Sequence, residues 1–285
     1  MQEELLVITG PTASGKSALA LKEAVRLGGE IISVDSMQLY RGIEIGTAQP
    51  TEQERKLIPH HLVGIYDFSV RAEVFTFCEL AEQAIKDIRS RGKLPVLAGG
   101  TGFYLKALLG GLDDLPADRK LRAELDQLYD SEAGEKELHR RMAELDPAAF
   151  ARWKDCRRRL IRALEVYLIS GRSILELQSG KPQKCRFDNV RSVFIMPETQ
   201  ELKERIDRRC DAMFDAGWIE ETQTAARNGL FSSPTAYQAL GYSLIAQHLA
   251  GEFDFETLKE RVKTATWQFA RRQRTFLRHQ LDFLR

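Results

Sequence analysis

Residues 10–17 have the types and the spacing needed to bind a phosphorylated ligand. Their sequence, GPTASGKS, fits the phosphate-loop pattern G-x-x-x-x-G-K-[ST]. In such a loop, backbone N–H groups face the anion, the lysine reaches the terminal phosphate oxygens, and the last hydroxyl ligates Mg²⁺. The loop therefore predicts a nucleotide-binding or ATP-binding type of site, with Lys16 and Ser17 in those two roles. The predicted phosphate-binding residues are Gly10, Pro11, Thr12, Ala13, Ser14, Gly15, Lys16 and Ser17.

Two more polar residues follow predicted strands, at the sheet edge where ligands bind in parallel sheets. Asp35 comes directly after an apolar stretch, residues 30–34. It could act on a ligand, help to organise Mg²⁺, or cap a helix, and its place beside a phosphate loop favours a functional role. Thr101 follows two glycines and could offer its hydroxyl to a phosphate or a base, or belong only to a tight turn. For Thr101 both interpretations are open.

Two arginine-rich stretches contrast with a chain that is almost neutral overall. The sequence has 42 Lys and Arg against 41 Asp and Glu, a net charge of +1, so any nucleic-acid surface must come from local clustering. Residues 154–162 read KDCRRRLIR, and residues 271–278 read RRQRTFLR. Each could be a solvated helix face, but a strong excess of positive charge favours contact with a phosphate backbone. In residues 271–278 the cations also lie beside an aromatic residue, which suits stacking of unpaired bases.

The pattern along the chain predicts an α/β fold built around the phosphate loop. We expect strands over residues 5–9, 30–34, 61–65 and 96–98, and helices over residues 17–27, 75–89 and 103–109. Strands that alternate with helices indicate a parallel sheet. Residues 115–180 show only helical patterns, residues 190–196 read as a returning strand, and the rest reads as helical. We therefore predict a P-loop NTPase-like core (residues 1–114 and 190–285), a helical insertion domain (residues 115–189) and C-terminal helices that complete the core.

Composition excludes several other classes of protein. The four cysteines are scattered without a C-x-x-C pair, and the five histidines form no metal-ligand spacing, which argues against a zinc site or a disulfide framework. No apolar stretch approaches the ~20 residues of a membrane span, and the first strand leaves no room for a signal peptide. We expect a soluble, cytoplasmic protein.

Ordered motifs over nearly the whole chain resemble the tRNA dimethylallyltransferase family, also called tRNA isopentenyltransferase, in its bacterial form. The motifs lie at residues 10–17, 34–42, 45–50, 59–62, 98–102, 162–166, 240–242 and 270–273. The resemblance implies transfer of the dimethylallyl group of dimethylallyl diphosphate to N6 of adenosine 37 in tRNA. The products are N6-(dimethylallyl)adenosine and diphosphate, and no ATP is consumed.

The resemblance also implies roles for single residues. Lys16, with Mg²⁺ at Ser17, would stabilise the departing diphosphate, and Arg209 would clamp it, although the neighbouring Arg208 is an alternative. Asp35 matches the family's general base, which the weakly nucleophilic adenine amine needs. Thr101 completes the implied catalytic set.

The implied partners are dimethylallyl diphosphate and the anticodon stem-loop of tRNA, bound by a monomer in one groove that both basic stretches line. The implied tRNA-binding residues are Asp35, Ser36, Met37, Gln38, Thr101, Arg122, Arg158, Arg159, Leu160, Ile161, Arg162, Gln238, Ala239, Leu240, Gly241, Tyr242, Ser243, Arg271, Arg272, Gln273, Arg274, Thr275, Phe276, Leu277 and Arg278.

Several positions depart from the family's pattern, and other functions are compatible with the phosphate loop. Arg158, Gly64, Ser243 and Trp267 stand where the family commonly has other polar or charged residues. A prenyltransferase acting on free AMP, ADP or ATP would need neither the insertion nor the basic stretches. A small-molecule kinase would consume ATP, and a non-catalytic RNA-binding protein would leave the phosphate loop unexplained.

Overall fold

Five parallel strands form one sheet in a computed structural model that describes residues 4–113, 115–178 and 184–284. The predicted domain boundaries at residues 1, 114 and 285 lie outside the described residues, as does part of the predicted insertion (residues 179–183). The strands are β1 (Leu5–Thr9), β2 (Gly29–Ser33), β3 (His60–His61), β4 (Leu94–Gly99) and β5 (Val190–Phe194). Their order is β3-β2-β4-β1-β5, which places β1 and its phosphate loop between β4 and β5. The predicted parallel α/β core is confirmed.

The third strand is shorter than the sequence predicts. We expected it over residues 61–65, but β3 is only His60–His61, paired with Ile31 and Ile32 of β2. Leu62 has a φ of 61° and Gly64 a φ of 63°, so the backbone leaves the extended conformation directly after His61. The prediction was wrong because apolar residues alone do not reveal a left-handed backbone.

Helices make up most of the remaining described chain. The α-helices are α1 (Lys16–Leu27), α2 (Glu44–Thr47), α3 (Glu52–Leu57), α4 (Val74–Ser90), α5 (Gly102–Gly110), α6 (Arg119–Leu128), α7 (Glu132–Leu145), α8 (Pro147–Trp153), α9 (Arg157–Ser170), α10 (Ile174–Leu177), α11 (Thr199–Asp215), α12 (Trp218–Arg227), α13 (Tyr242–Leu249) and α14 (Phe255–His279). Short 3₁₀ helices cover Leu230–Ser232, Ala236–Gln238 and Asp282–Leu284. None of the described helices is long and apolar enough to cross a membrane.

The chain divides into two compact units, Met1–Gly111 with Gln183–Arg285, and Leu112–Pro182. In the first unit, α1 covers one face of the sheet and packs Ala20 and Ala24 against Leu6 and Ile8. Helices α4, α5 and the end of α14 supply the core that contains the β2 residue Ile32. Burial on both faces explains the continuous apolar run of residues 5–8 in β1.

The second unit, in its described part, is built from α6 to α10. Its core contains Leu138, Leu160, Ile161 and Leu164, all without solvent exposure. Leu160, Ile161 and Leu164 recur at helical spacing along α9, so the amphipathic pattern that predicted this helix also defines its buried face.

Candidate active site

The phosphate loop connects the carboxyl end of β1 to the first turn of α1. Its backbone is left-handed at Ala13 (φ 60°) and at Gly15 (φ 91°), directly before the helix starts at Lys16. Gly10 is needed for close packing, since a Cβ there would lie 2.5 Å from the carbonyl oxygen of Ile195. The first turn of α1 thus faces the space beyond the sheet edge, where its free N–H groups and positive dipole end favour an anion.

A cavity of about 260 Å³ lies against this loop. Three cationic side chains line it: Lys16 from the loop, and Arg205 and Arg209 from α11. The sequence left open whether Arg208 or Arg209 would face the anion, and the structure places Arg209 in the lining, whereas Arg208 is exposed. Arg205 was not predicted. Its spacing of four residues from Arg209 on a helix is the signal that could have identified it.

The cations of the cavity are held close enough to perturb one another. Burial lowers the pKa of Lys16 to about 8, and the neighbouring charge of Arg209 acts in the same direction, while Asp35 opposes it. Burial also lowers the pKa of Arg209, again opposed by Asp35. The Lys16 ammonium donates a hydrogen bond to the carbonyl oxygen of Pro11 over 3.3 Å. A bound anion would relieve this repulsion, so the cavity is suited to a multiply charged ligand.

Asp35 follows β2 and organises the turn after it. Its Oδ1 accepts hydrogen bonds from the N–H groups of Met37 (3.0 Å) and Gln38 (3.4 Å). The capping role that the sequence allowed is therefore present in a turn rather than at a helix start, since residues 36–39 are not helical. The carboxylate is half-buried and is close enough to Lys16 and Arg209 to influence both charges.

Thr101 joins the Asp35 turn to the turn after β4. Its N–H donates to the carbonyl oxygen of Val34 over 3.2 Å, and its hydroxyl accepts the N–H of Ser36 over 3.3 Å. Because β2 and β4 are neighbours, their carboxyl ends bring Asp35, Ser36 and Thr101 together. The predicted grouping of these polar residues beside the phosphate loop is present in the structure.

The side chain of Gln38 is engaged within the protein. Its Oε1 accepts the hydroxyl of Ser33 over 2.7 Å, and its Nε2 donates to the carbonyl oxygens of Thr47 (3.1 Å) and Ala48 (2.9 Å). The half-buried side chains of Ser36 and Met37 lie in the same turn. Gln38 thus fixes this turn against the end of α2.

The motif at residues 240–242 packs against the motif at residues 45–50. The Tyr242 hydroxyl donates to Glu221 over 2.6 Å, and the same carboxylate accepts the N–H groups of Ile45 (2.7 Å) and Gly46 (3.0 Å). A Cβ at Gly46 would lie 2.2 Å from the Trp218 ring nitrogen, which explains the glycine. Among the implied tRNA residues of this region, Ala239, Gly241 and Tyr242 are buried, Leu240 is half-buried, and Gln238 and Ser243 are exposed.

In the second unit, the first basic stretch is only partly available to a ligand. Leu160 and Ile161 are fully buried. Arg122 and Arg162 both donate to the buried carboxylate of Glu165; burial would raise the pKa of Glu165, but these hydrogen bonds hold it below its usual range. The implied tRNA contacts of this stretch can therefore come chiefly from the exposed residues Arg158 and Arg159.

The second basic stretch lies on α14 and has two different faces. Arg271, Arg272, Thr275 and Arg278 are exposed, whereas Gln273 and Leu277 are buried and Arg274 and Phe276 are half-buried. Arg274 donates to the hydroxyl of Thr199 over 3.1 Å. The exposed face of α14 is cationic, and its opposite face packs into the core of the first unit.

A divalent metal fits this site only together with an anionic ligand. Among the described residues no three His, Cys, Asp or Glu side chains are grouped to hold a metal. Ser17 lines the same cavity as Lys16 and could offer one hydroxyl oxygen, so the phosphate oxygens of a ligand would have to supply further coordination. Mg²⁺ commonly uses one or two protein oxygens together with substrate phosphates, which agrees with this donor set.

The chain is similar in sequence to one family model and to several known proteins. A family model described as IPP transferase matches residues 38–280. The chain is 41% identical to a tRNA dimethylallyltransferase of Geobacter metallireducens, over 100% of this chain and 94% of the relative. It is 43% identical to one of Halorhodospira halophila, over 100% and 93%.

Two solved structures are also similar. The full-length tRNA isopentenylpyrophosphate transferase of Bacillus halodurans has a TM-score of 0.69 and 36% identity, over 98% of this chain and 88% of that one. A eukaryotic dimethylallyltransferase acting on tRNA has a TM-score of 0.79 and 28% identity, over 96% and 69%.

Proposed function

The chain belongs to the IPP transferase family, and from this premise we infer that it is a tRNA dimethylallyltransferase, a prenyltransferase that modifies tRNA. The main structural support is the arrangement of the site. A complete phosphate loop, with a cavity lined by three cationic side chains, lies beside the turns that contain Asp35 and Thr101. A carboxylate next to an anion cavity suits a reaction in which a diphosphate leaves and a weak nucleophile loses a proton.

We propose dimethylallyl diphosphate as the donor, with its diphosphate in the cavity. Lys16, Arg209 and Arg205 would stabilise the negative charge that develops as the allylic C–O bond breaks. A transferase that uses a prenyl diphosphate generally needs a divalent metal, and we propose Mg²⁺, held by Ser17 and the diphosphate. The metal would supply additional neutralisation of the leaving group.

We propose N6 of adenosine 37 in tRNA as the acceptor and Asp35 as its general base. The N6–C bond forms as the allylic C–O bond breaks, the N6 proton passes to the Asp35 carboxylate, and diphosphate leaves with the bonding electrons. Thr101, which already holds the Asp35 turn through Ser36, would position this base.

We propose that the exposed arginines of each unit contact the RNA backbone, Arg158 and Arg159 in one and Arg271, Arg272 and Arg278 in the other. The target base must leave the stack of the anticodon loop, which costs a few kcal/mol. Binding free energy from contacts with the RNA backbone would offset this cost. We propose a monomer as the active form. A tRNA substrate supports a cytoplasmic location.

Prenylation of free adenine nucleotides and ATP-dependent phosphorylation are not favoured as functions. The relatives named above are tRNA-modifying transferases, which argues against free adenine nucleotides as acceptors and against an ATP-consuming kinase.

A single labelling assay tests the proposal. The chain is incubated with radiolabelled dimethylallyl diphosphate and Mg²⁺, without ATP, and offered a tRNA with adenosine 37, the same tRNA with guanosine 37, or AMP. We expect label only in the first tRNA. Label in AMP would replace tRNA by a free nucleotide as acceptor, and label in the guanosine 37 tRNA would overturn the proposed target atom.

A further inference from the structure

Gln273 connects helix α14 to the floor of the candidate active site. Gln273 is only 7% exposed, although the basic stretch around it contains the exposed residues Arg272 and Thr275. Its Oε1 accepts the N–H of Thr12 over 2.8 Å, and its Nε2 donates to the carbonyl oxygen of Gly100 over 2.9 Å. One amide therefore bridges two segments that are distant in sequence.

The two segments that meet at this amide have different proposed tasks. Thr12 belongs to the phosphate loop, and Gly100 directly precedes Thr101, whose hydroxyl holds the Asp35 turn through Ser36. The packing is close, because a Cβ at Gly100 would lie 2.6 Å from Nε2 of Gln273 and 3.0 Å from the carbonyl oxygen of Gly10. The separation between the diphosphate site and the base is thus defined partly by this contact.

An amide is the side chain that this position requires. Thr12 presents a donor and Gly100 presents an acceptor, and only a group with both an acceptor and a donor satisfies them together. Glutamate would keep the bond to Thr12 but oppose the Gly100 carbonyl oxygen, and leucine would leave both buried backbone groups without a partner. The N–H of Thr12 is directed at the protein and not at the ligand cavity.

We propose that Gln273 is a positioning residue that holds the phosphate loop in register with the Thr101 turn, and that it does not contact tRNA. The inference rests on the proposed function and changes one residue of the implied RNA surface. Helix α14 then has two tasks, since its exposed arginines face a ligand while Gln273 on the opposite face fixes the donor site.

Three variants test this role: Gln273→Leu, Gln273→Glu, and the control Gln268→Leu on the exposed face of the same helix. Binding of inorganic pyrophosphate with Mg²⁺ is measured by calorimetry, and tRNA binding is measured without donor. We expect Gln273→Leu to weaken pyrophosphate binding and to raise the KM for dimethylallyl diphosphate by about tenfold, as for a lost buried hydrogen bond. The tRNA Kd should stay within about twofold, and Gln268→Leu should change neither.

Hydrogen exchange of the Thr12 amide provides a readout that needs no ligand. It should be slow in the wild type and in Gln273→Glu, and faster in Gln273→Leu.

Weaker tRNA binding with unchanged pyrophosphate binding in the Gln273 variants would overturn the proposal, as would Thr12 exchange that is insensitive to Gln273→Leu. If Gln273→Leu fails to fold, the test is made with Gln273→Glu, which should weaken pyrophosphate binding and leave the tRNA affinity unchanged. A wild type that binds no pyrophosphate would contradict the proposed function, whereas the Thr12 exchange would still decide the role of Gln273.

Discussion

The guanidinium of Arg205 donates a hydrogen bond to the carbonyl oxygen of Ser14 over 3.0 Å, and so attaches helix α11 to the phosphate loop. Arg205 also forms an ion pair with Glu201 one turn earlier, at 2.6 Å. The same helix carries Arg209 into the cavity. One helix thus supplies two of the three cations and also supports the loop that supplies the third.

Replacing Arg205 by alanine should weaken donor binding. The variant loses a cation of the lining and a charge-assisted hydrogen bond to the loop, so we expect pyrophosphate affinity to fall roughly tenfold. Calorimetry with Mg²⁺ measures this. Arg208→Ala removes an exposed arginine from the same helix and is the matched control, which should bind pyrophosphate as the wild type does. Equal losses in both variants would indicate a general charge effect instead of a local contact.

The perturbed charge of Lys16 predicts a pH dependence. Because its pKa is lowered to about 8, Lys16 loses its proton in the free enzyme as the pH rises through 8, and the cavity then attracts a diphosphate less strongly. We expect kcat/KM for dimethylallyl diphosphate to decline above pH 8, since this parameter reports groups of the free enzyme. Lys16→Arg stays charged throughout, so its profile, at whatever activity it retains, should lack this decline. The same decline in both proteins would assign the titration to another group.

Asp35 has a structural contact that a test of the general base must preserve. Asp35→Asn can still accept the N–H of Met37 but cannot accept the proton of an amine. We expect kcat to fall by ~10²–10⁴-fold, the usual contribution of a general base, with tRNA and pyrophosphate affinities retained. Asp67→Asn is the control, because the exposed Asp67 accepts the N–H of Ser69 in the same kind of turn. Near-normal prenylation by Asp35→Asn would exclude Asp35 as the base.

The parts of the fold that sequence predicts well are those encoded locally. The phosphate loop, β1 and α1 follow one another within residues 5–27, and each is specified by its own apolar spacing and glycines. The strand predicted over residues 61–65 failed because the left-handed backbone at Leu62 has no signal in an apolar leucine.

Contacts between distant residues limit the prediction of the site. Gln273 lies in an arginine-rich run, which suggests an RNA contact, yet its spacing from Ala270 and Leu277 places it on the buried face, and its partners are Thr12 and Gly100. Arg122 pairs with Glu165, which lies 43 residues away in the sequence, and no local sequence pattern predicts such a pair. Charge composition predicted a cationic surface but not which arginines form it.

Charge reversal at the exposed arginines tests the RNA surface. Arg159→Glu and Arg272→Glu should each raise the KM for tRNA by roughly tenfold and reduce the salt dependence of tRNA binding by about one counterion. Pyrophosphate affinity should not change. Arg261→Glu, an exposed arginine elsewhere on α14 that lies over the ring of Phe253, is the control. An unchanged KM for tRNA in both test variants would show that these two arginines do not contact tRNA.

Acid stability should depend on Glu30, which is 1% exposed in β2 and accepts hydrogen bonds from Arg91, Lys93 (2.8 Å) and His61 (2.7 Å). The hydrogen bond from Arg91, above all, holds the pKa of Glu30 well below its ordinary value of 4.5. The carboxylate therefore stabilises the fold above pH 4.5, and this contribution is lost as the pH falls further, because the unfolded chain takes up the proton first.

Thermal melting between pH 7 and pH 3 measures this contribution. Glu30→Gln should lower the free energy of unfolding at pH 7 by about 1.5–3 kcal/mol, as for lost hydrogen bonds to a charged group, and should flatten the decline of Tm below pH 4.5. Glu52→Gln is the control, because Glu52 forms an exposed ion pair with Lys56 and such pairs contribute little. If Glu30→Gln kept the wild-type Tm at pH 7 and the same decline in acid, the network around Glu30 would not stabilise the fold.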